Sequence, residues 1–178
     1  MISQTILVTG GSGKLGRSVV KELQQHNYAV INADQQRAEG VYTIKTDLCD
    51  LGQVYSIASK VSAIVHLAAI PSPGSFAPGF VFQNNVMSTY NVLQAASDLG
   101  ITNVVIASSL SALGLAYKTH PIQLAYLPID ESHPALAQDA YGLSKIVNEE
   151  VAAGFARLNR DMTIISLRLP LLANPGAI

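Results

Sequence analysis

The stretch Thr5-Ile-Leu-Val-Thr-Gly10-Gly-Ser-Gly13-Lys-Leu-Gly16 decides the fold of this chain. Its first five residues form a short apolar run of the kind found in strands that are buried on both faces. The glycines that follow predict a tight turn, and the pattern from about Lys14 to His26 predicts a helix. A strand that passes through a glycine-rich turn into a helix indicates an α/β protein with a parallel sheet.

The same alternation of strands and helices continues along the chain. We predict further strands at 29–33, 42–46, 63–67, 103–108 and 163–167, and further helices at about 51–60, 80–99 and 139–158. The proline-rich segment 71–78 is predicted to be a loop. An irregular stretch from Leu110 to Gln138 is long for a compact domain and is therefore expected to carry part of an active site.

Composition bounds the classes of protein and partner. The chain has 178 residues, 49% hydrophobic and 13% charged, which suits one domain with a substantial core. A net charge of −1 without a basic run argues against nucleic acid and anionic membranes as partners. The sequence shows no membrane-spanning run and no signal peptide, so we expect a cytoplasmic protein. A lone Cys49 argues against an intrachain disulfide and a zinc cluster.

The glycines at positions 10, 13 and 16 have the spacing of a dinucleotide-binding turn. Glycine permits the tight turn and the close approach of a pyrophosphate, and the start of the following helix offers unpaired N–H groups to the phosphates. We therefore place Gly10, Gly13, Gly16, Lys14 and Leu15 in a predicted cofactor site, with the Lys14 side chain facing solvent. A nucleoside triphosphate loop is excluded, since its pattern is not met at Val8 and Leu15.

Acidic and small residues at the ends of later strands extend this site. Asp34 ends the second strand, where a carboxylate accepts hydrogen bonds from the ribose hydroxyls and repels a 2′-phosphate, which favours NAD over NADP. A turn-forming role for Asp34 is the alternative, and the nearby Arg37 leaves the preference open. Asp47 and Leu48 are predicted near the adenine. After the fourth strand, the small-residue segment Leu67, Ala68 and Ala69 is predicted to let the cofactor pass closely, while His66 is expected to be a packed strand residue.

Tyr141 and Lys145 lie four positions apart in the predicted helix 139–158. At this spacing both side chains rise from one face, so the ammonium is expected to lower the pKa of the phenol and allow proton transfer. A solvated helix face is the alternative. The helix also shows an apolar stripe, predicted to pack on the sheet, at Leu143, Ile146, Val147, Val151, Phe155 and Leu158. A patch of small residues beside the stripe, Ala140, Ala152, Ala153 and Ala156, packs either on the sheet as well or on a second subunit.

Together these features make the chain resemble the extended short-chain dehydrogenase/reductase family, in the branch of NAD-dependent epimerases and dehydratases. The matching residues, which span essentially the whole chain, are Gly10, Gly13, Gly16, Asp34, Asp47-Leu48, 66–69, 85–93, Ser108-Ser109, Tyr141 and Lys145. The resemblance implies a Rossmann-type doubly wound sheet in the order 3-2-1-4-5-6 with helices on both faces. It also implies NAD as cofactor and a homodimer through helices 80–99 and 139–158.

The resemblance assigns roles to several residues. Tyr141 takes the proton from a substrate hydroxyl, Lys145 tunes Tyr141 and holds the nicotinamide ribose, and Ser109 orients the hydroxyl. Ser109 is chosen because it precedes Gly114 at the family spacing. Asn85 orders the cofactor side of the site, and Ser108 supports the backbone or borders the cofactor and substrate.

The resemblance implies a sugar or nucleotide sugar as substrate, and departures from the family pattern narrow the range of candidate substrates. Leu110 and Ser111 stand where dehydratases carry Asp-Glu, so sugar dehydration is disfavoured. Nucleotide-sugar epimerases of the family commonly carry Tyr just before this glycine. The Leu113-Gly114 pair instead looks closer to the pattern of uronate dehydrogenases. The family usually continues into a substrate lobe beyond the sixth strand, so we expect 1–178 to be the NAD-binding catalytic domain with that lobe absent or truncated. Two explanations of this length stay open, a fragment and a natural short form. The alternative function is an NAD-binding module without turnover.

Overall fold

A computed structural model describes residues 4–38 and 40–172 and contains a six-stranded parallel sheet. The spatial order of the strands is β3-β2-β1-β4-β5-β6, which confirms the order that the family resemblance implies. The strands are β1 Thr5–Thr9, β2 Ala29–Asp34, β3 Ile44–Lys45, β4 Ala63–His66, β5 Asn103–Ser109 and β6 Thr163–Leu169. The helices are α1 Lys14–Gln25, α2 Leu51–Ala58, α3 Pro78–Asp98 and α4 Ala140–Leu158, with a 3₁₀ turn at Leu110–Leu113.

The strand order reverses beside β1, and this reversal locates the crevice for a ligand. β1 pairs in parallel with both β2 and β4, so Thr9 lies opposite Ala33 on one side and His66 on the other. The chain leaves β1 toward one half of the sheet and later returns to the other half. The connections therefore separate at the carboxyl ends of these strands, which is where open α/β sheets bind their ligands.

The helix ends follow local chemistry. Asp50 caps α2 by accepting a hydrogen bond from the Gln53 N–H at 3.1 Å. α3 begins at Pro78, two residues before the predicted start, because proline has no N–H to satisfy and is tolerated in the first turn. α1 ends before Asn27, which adopts a left-handed conformation with φ of 62°.

Several predicted strands differ from the observed bounds. β3 contains only Ile44 and Lys45 rather than 42–46, and Tyr42 is 86% exposed at the border of the sheet. β5 and β6 are longer than predicted, since their pairing continues as far as Ser109 opposite Leu169. The extension matters for function because it makes Ser109 the last residue of a strand at the ligand crevice.

The two faces of the sheet are covered unequally. α2, α3 and α4 cover one face, where Leu7, Ile64 and Ile106 are almost completely buried. On the other face, Ile6 and Val8 pack against Val20 of α1. Among the described residues 4–38 and 40–172, α1 is the one helix that contributes side chains to this second core cluster. As a result, Ile165 and Leu167 of β6 remain 48% and 45% exposed.

Candidate active site

The glycine loop is held closely against the neighbouring strand ends. Gly10 has a φ of +72°, and a Cβ at this position would lie 2.6 Å from the backbone nitrogen of Ala68. A Cβ on Gly16 would lie 2.1 Å from the carbonyl oxygen of Gly10. Only glycine fits such approaches, so the loop and the start of α1 pack as a dinucleotide turn requires.

The start of α1 suits an anionic ligand. Gly13 occupies the N-cap position and makes no side-chain capping bond, so the N–H groups of the first turn are not satisfied by a cap. A Cβ on Gly13 would lie 3.2 Å from the Gly10 carbonyl oxygen, closer than an ordinary contact. These features fit the pyrophosphate of a dinucleotide. Lys14 is exposed as expected, and Leu15 is half-buried.

Asp34 lies beside the loop, at the end of β2. One carboxylate oxygen accepts a hydrogen bond from the Ser12 N–H at 3.1 Å, and the other accepts from the Gln36 N–H at 3.0 Å. The residue therefore joins the glycine loop to the turn after β2. Each oxygen retains a second acceptor site, so the predicted ribose contact and the turn-forming role are compatible in this geometry.

Asp47 borders two adjoining clefts after β2 and β3. The larger has a volume of about 530 Å³ and the smaller about 310 Å³, and Gln35 and Asp47 line both. Leu48 is 6% exposed and belongs to the core, and its predicted place near the adenine stays a prediction. Cys49 borders the smaller cleft. Partial burial and, to a smaller extent, the Asp47 charge raise the pKa of its thiol, which disfavours the reactive thiolate.

The segment after β4 is fixed by an asparagine from α3. Asn85 accepts a hydrogen bond from the Ile70 N–H at 2.8 Å and donates to the Ile70 carbonyl at 3.1 Å. It also donates to the Ser144 hydroxyl at 3.2 Å, which links this segment to α4. Leu67, Ala68 and Ala69, which this link helps to place, are each partly exposed beside the glycine loop.

His66 is a packed strand residue, as predicted. Its ring lies between the hydroxyls of Thr9 and Thr89, at 2.7 and 3.1 Å. Burial and then the nearby Lys145 charge lower the pKa of His66 to about 3. The ring is therefore neutral near pH 7.

Tyr141 and Ser109 meet at the carboxyl end of β5. Ser109 ends the strand, and its hydroxyl accepts a hydrogen bond from the Ser111 N–H at 3.0 Å. Burial raises the pKa of the Tyr141 phenol, while a side-chain hydrogen bond with Ser109 acts in the opposite direction. Tyr117 and Asp139 add to the increase. The structure thus brings the predicted base and the predicted hydroxyl residue together.

Lys145 does not affect Tyr141 as the spacing predicted. Its ammonium donates to the Ala107 carbonyl at 2.7 Å and lies 5.6 Å from the centre of the Tyr141 ring. The expected lowering of the Tyr141 pKa is wrong for this state, because burial of the phenol, the largest influence on it, raises that pKa. Lys145 itself is 4% exposed, and burial lowers its pKa to about 8, against an opposing effect of Glu149.

The apolar stripe predicted along α4 is also incorrect in part. Leu143 and Leu158 are 43% and 71% exposed, whereas Ser144, Lys145 and Asn148 are buried. Hydrogen bonds from Ser144 to the Tyr141 carbonyl and from Asn148 to the Asn85 carbonyl make this polar burial possible. The alternative of a solvated Tyr141 and Lys145 face is excluded, since both side chains are buried.

The long segment before α4 is held in place at both ends. Gly114 adopts a φ of +80°, and a Cβ there would lie 2.2 Å from the Leu136 carbonyl oxygen. The Gln138 side chain accepts hydrogen bonds from the N–H groups of Thr119 and His120. Between these anchors, the ring of Tyr117 stands edge-on to Tyr141 with centroids 6.4 Å apart. The segment therefore forms one wall of the site, as its length suggested.

Three residues of the site escaped prediction. Asp139 caps α4 by accepting from the Tyr141 and Gly142 N–H groups, both at 2.9 Å. Glu149 accepts a hydrogen bond from the Ser108 hydroxyl and forms an ion pair with Arg168 at 2.8 Å. The continued spacing of four from Lys145 to Glu149 was the available sequence signal. The Ser108 hydroxyl is thus directed at Glu149, and its predicted contact with the cofactor stays a prediction.

The fold and this constellation define the class of protein. Residues 6–177 match the model of the "NAD dependent epimerase/dehydratase family". The chain belongs to this family, and the enzymatic lineage, the Rossmann-type fold and NAD as the family cofactor follow from that membership. This confirms the resemblance inferred from the sequence.

Individual relatives agree with this membership. The chain is 34% identical over 163 residues to the "Putative UDP-glucose 4-epimerase" of Methanocaldococcus jannaschii, covering 86% of this chain and 51% of the relative. A short-chain dehydrogenase/reductase superfamily protein from Agrobacterium tumefaciens, solved with bound NAD, superposes with a TM-score of 0.80 at 30% identity. That match covers 93% of this chain and 48% of the other.

The UDP-glucose 4-epimerase from Brucella ovis, in complex with NAD, superposes with a TM-score of 0.81 at 25% identity and covers 93% of this chain and 51% of the other. The chain spans about half the length of the curated relatives it matches. In the described part of the chain, every helix is too short or too polar to cross a membrane.

Proposed function

We propose that this chain forms the NAD-binding and catalytic part of an oxidoreductase or epimerase that acts on a hydroxyl of a sugar or nucleotide sugar. The observation that carries the proposal is the proximity of Tyr141 to Ser109 and to the buried Lys145 ammonium, at the carboxyl ends of the strands, where the glycine loop also lies. The relatives described above, UDP-glucose 4-epimerases among them, support a sugar-nucleotide substrate class.

In this proposal NAD, when bound, supplies the hydride acceptor. Tyr141 accepts the proton of the substrate hydroxyl, and Ser109 orients that hydroxyl by hydrogen bonding. The high pKa of the phenol requires help, which the buried Lys145 provides when its positive charge stabilises the phenolate. Net oxidation and epimerisation need the same residues and differ in whether the keto intermediate is released or reduced again.

The cofactor contacts stay assigned to the glycine loop with Lys14 and Leu15, and to Asp34, Asp47 and the segment after β4. Leu48, Asn85 and Ser108 are assigned to the same cofactor site, together with Tyr141 and Lys145, whose ammonium would hold the nicotinamide ribose. The absence of Asp-Glu at Leu110 and Ser111 disfavours dehydration, and a uronate is the alternative substrate to a nucleotide sugar.

Calorimetry with NAD and an activity panel test the proposal. The panel comprises uronates and UDP-sugars, with NADH followed by absorbance and sugar products by NMR, on this chain and on a version extended to family length. NAD binding with sugar turnover by the longer version supports the proposal. NAD binding without turnover by either version favours a nucleotide-binding module, and absence of NAD binding contradicts both.

We also propose a homodimer through the outer faces of α3 and α4. Within one chain these helices pack together, with Tyr90 edge-on to Phe155 at 5.6 Å. Met87 and Tyr90 nevertheless remain 40% exposed on α3. Sedimentation should show a dimer that Met87→Glu converts to a monomer. A wild-type monomer at all accessible concentrations would reject this arrangement.

A further inference from the structure

A charged cluster lies behind Tyr141 and Lys145 and has no part in the chemistry proposed above. Tyr141, Lys145 and Glu149 follow one another at intervals of four along α4, so the three side chains leave the helix on one side. Lys145 lies between the phenol and the carboxylate.

Glu149 is held by two strands of the sheet. One oxygen accepts a hydrogen bond from the Ser108 hydroxyl of β5 and another from the Arg168 Nε of β6, at 3.0 Å for the arginine. The second oxygen accepts from the Arg168 Nη2 at 2.8 Å. A carboxylate held by a guanidinium fork and a hydroxyl has a defined position and orientation. Both charged side chains are about four-fifths buried, at 20% and 23% exposure.

The charges around Lys145 make Glu149 the group that opposes the cost of burying the ammonium. Burial disfavours the charged form of Lys145, and Glu149 acts in the other direction. His66 faces Lys145 from β4 but is neutral near pH 7. The face of the Tyr141 ring lies toward the Lys145 ammonium, with 5.6 Å between the ammonium nitrogen and the ring centre. Burial raises the pKa of Glu149, but the hydrogen bonds from Arg168 and Ser108 lower it overall. Glu131 in turn helps to raise the pKa of Arg168.

We propose that Glu149 is a positioning residue that keeps the Lys145 ammonium charged one helical turn from Tyr141, while the Ala107 carbonyl holds that ammonium and Ser108 and Arg168 hold the carboxylate in place. The inference rests on the proposed function, because it assigns Glu149 a part in the same proton transfer. It also explains why the Ser108 hydroxyl is directed toward α4, next to Ser109, which faces Tyr141.

NMR titration of the lysine side chains in the full chain tests this role without any need for turnover. With ¹³C-labelled lysine, the Lys145 Cε resonance, assigned from Lys145→Arg, should titrate with a midpoint of about 8. Glu149→Gln preserves the shape of the side chain and removes its charge, so the midpoint should fall by about one pH unit. The neighbouring Glu150 is exposed, and Glu150→Gln should leave the midpoint unchanged. An unchanged midpoint in folded Glu149→Gln would overturn the proposal.

Arg168→Gln provides an independent test with the opposite sign, which also covers the case of a Glu149→Gln variant that does not fold. Removing the guanidinium leaves more of the Glu149 charge uncompensated, so the Lys145 midpoint should rise. A midpoint that stays constant or falls would count against Glu149 as the controlling charge. NAD binding and sugar turnover are measured separately, so loss of the proposed function would appear there and not in the lysine titration.

Discussion

Replacing Gly16 by alanine measures how tightly the glycine loop is packed. In an ordinary helix interior, alanine is more stable than glycine by about 1 kcal/mol. At Gly16 the added Cβ would lie 2.1 Å from the Gly10 carbonyl oxygen and 2.5 Å from the Gly11 Cα. An ordinary contact begins near 3.4 Å, so backbone must move by more than about 1 Å, as in an overpacked core. Side-chain rotation cannot relieve a clash with backbone.

Overpacking of this kind costs about 1–3 kcal/mol, so we expect Gly16→Ala to be destabilised by about 2 kcal/mol. For a chain of this size the melting temperature should fall by about 4–8 °C. The displaced loop should also weaken NAD binding at least about tenfold, since the loop carries the predicted phosphate contacts.

Urea unfolding followed by circular dichroism, together with calorimetry of NAD binding, provides the measurement. Gly154→Ala is the matched control, because the nearest atom to a Cβ there, the Arg157 Nη2, is 3.9 Å away. That variant should gain about 0.5–1 kcal/mol in unfolding free energy. If Gly16→Ala matched Gly154→Ala in stability and kept its NAD affinity, the inferred packing of the loop would be refuted.

Other substitutions test the site. Tyr141→Phe should abolish hydride transfer by the family-length version and leave NAD affinity within about twofold, since the hydroxyl serves proton transfer; near-normal turnover would remove Tyr141 as the base. Asp34→Ala should weaken NAD binding and reduce discrimination against NADP, and an unchanged preference would leave only its turn-forming role. Because the pKa of His66 is lowered to about 3 in the folded state, the unfolded chain takes up a proton first as pH falls below about 6.5. Stability should therefore decrease between about pH 6.5 and 3, by up to about 1.4 kcal/mol per unit, and His66→Gln should flatten this dependence in urea titrations; an unaltered slope would contradict it.

Sequence reasoning found the parts of the site that depend on short patterns. The glycine loop between β1 and α1 was predictable because backbone conformation at Gly10 and close approach at Gly16 require glycine locally. The spacing of Tyr141 and Lys145 placed both on one side of a helix, and their burial agrees with a functional face. The strand order came from the family resemblance, since apolar runs alone do not say which strands become neighbours.

The sequence by itself therefore determined the α/β class, the parallel strands and the dinucleotide turn, because apolar runs, helical periodicity and glycine constraints act over a few residues. Tertiary structure alone decided which side of α4 is buried, the raised pKa of Tyr141 and the joining of Ser108, Glu149 and Arg168. These features arise from contacts between residues that are far apart in the chain. They also depend on desolvation, which exists only once the sheet and helices have packed together.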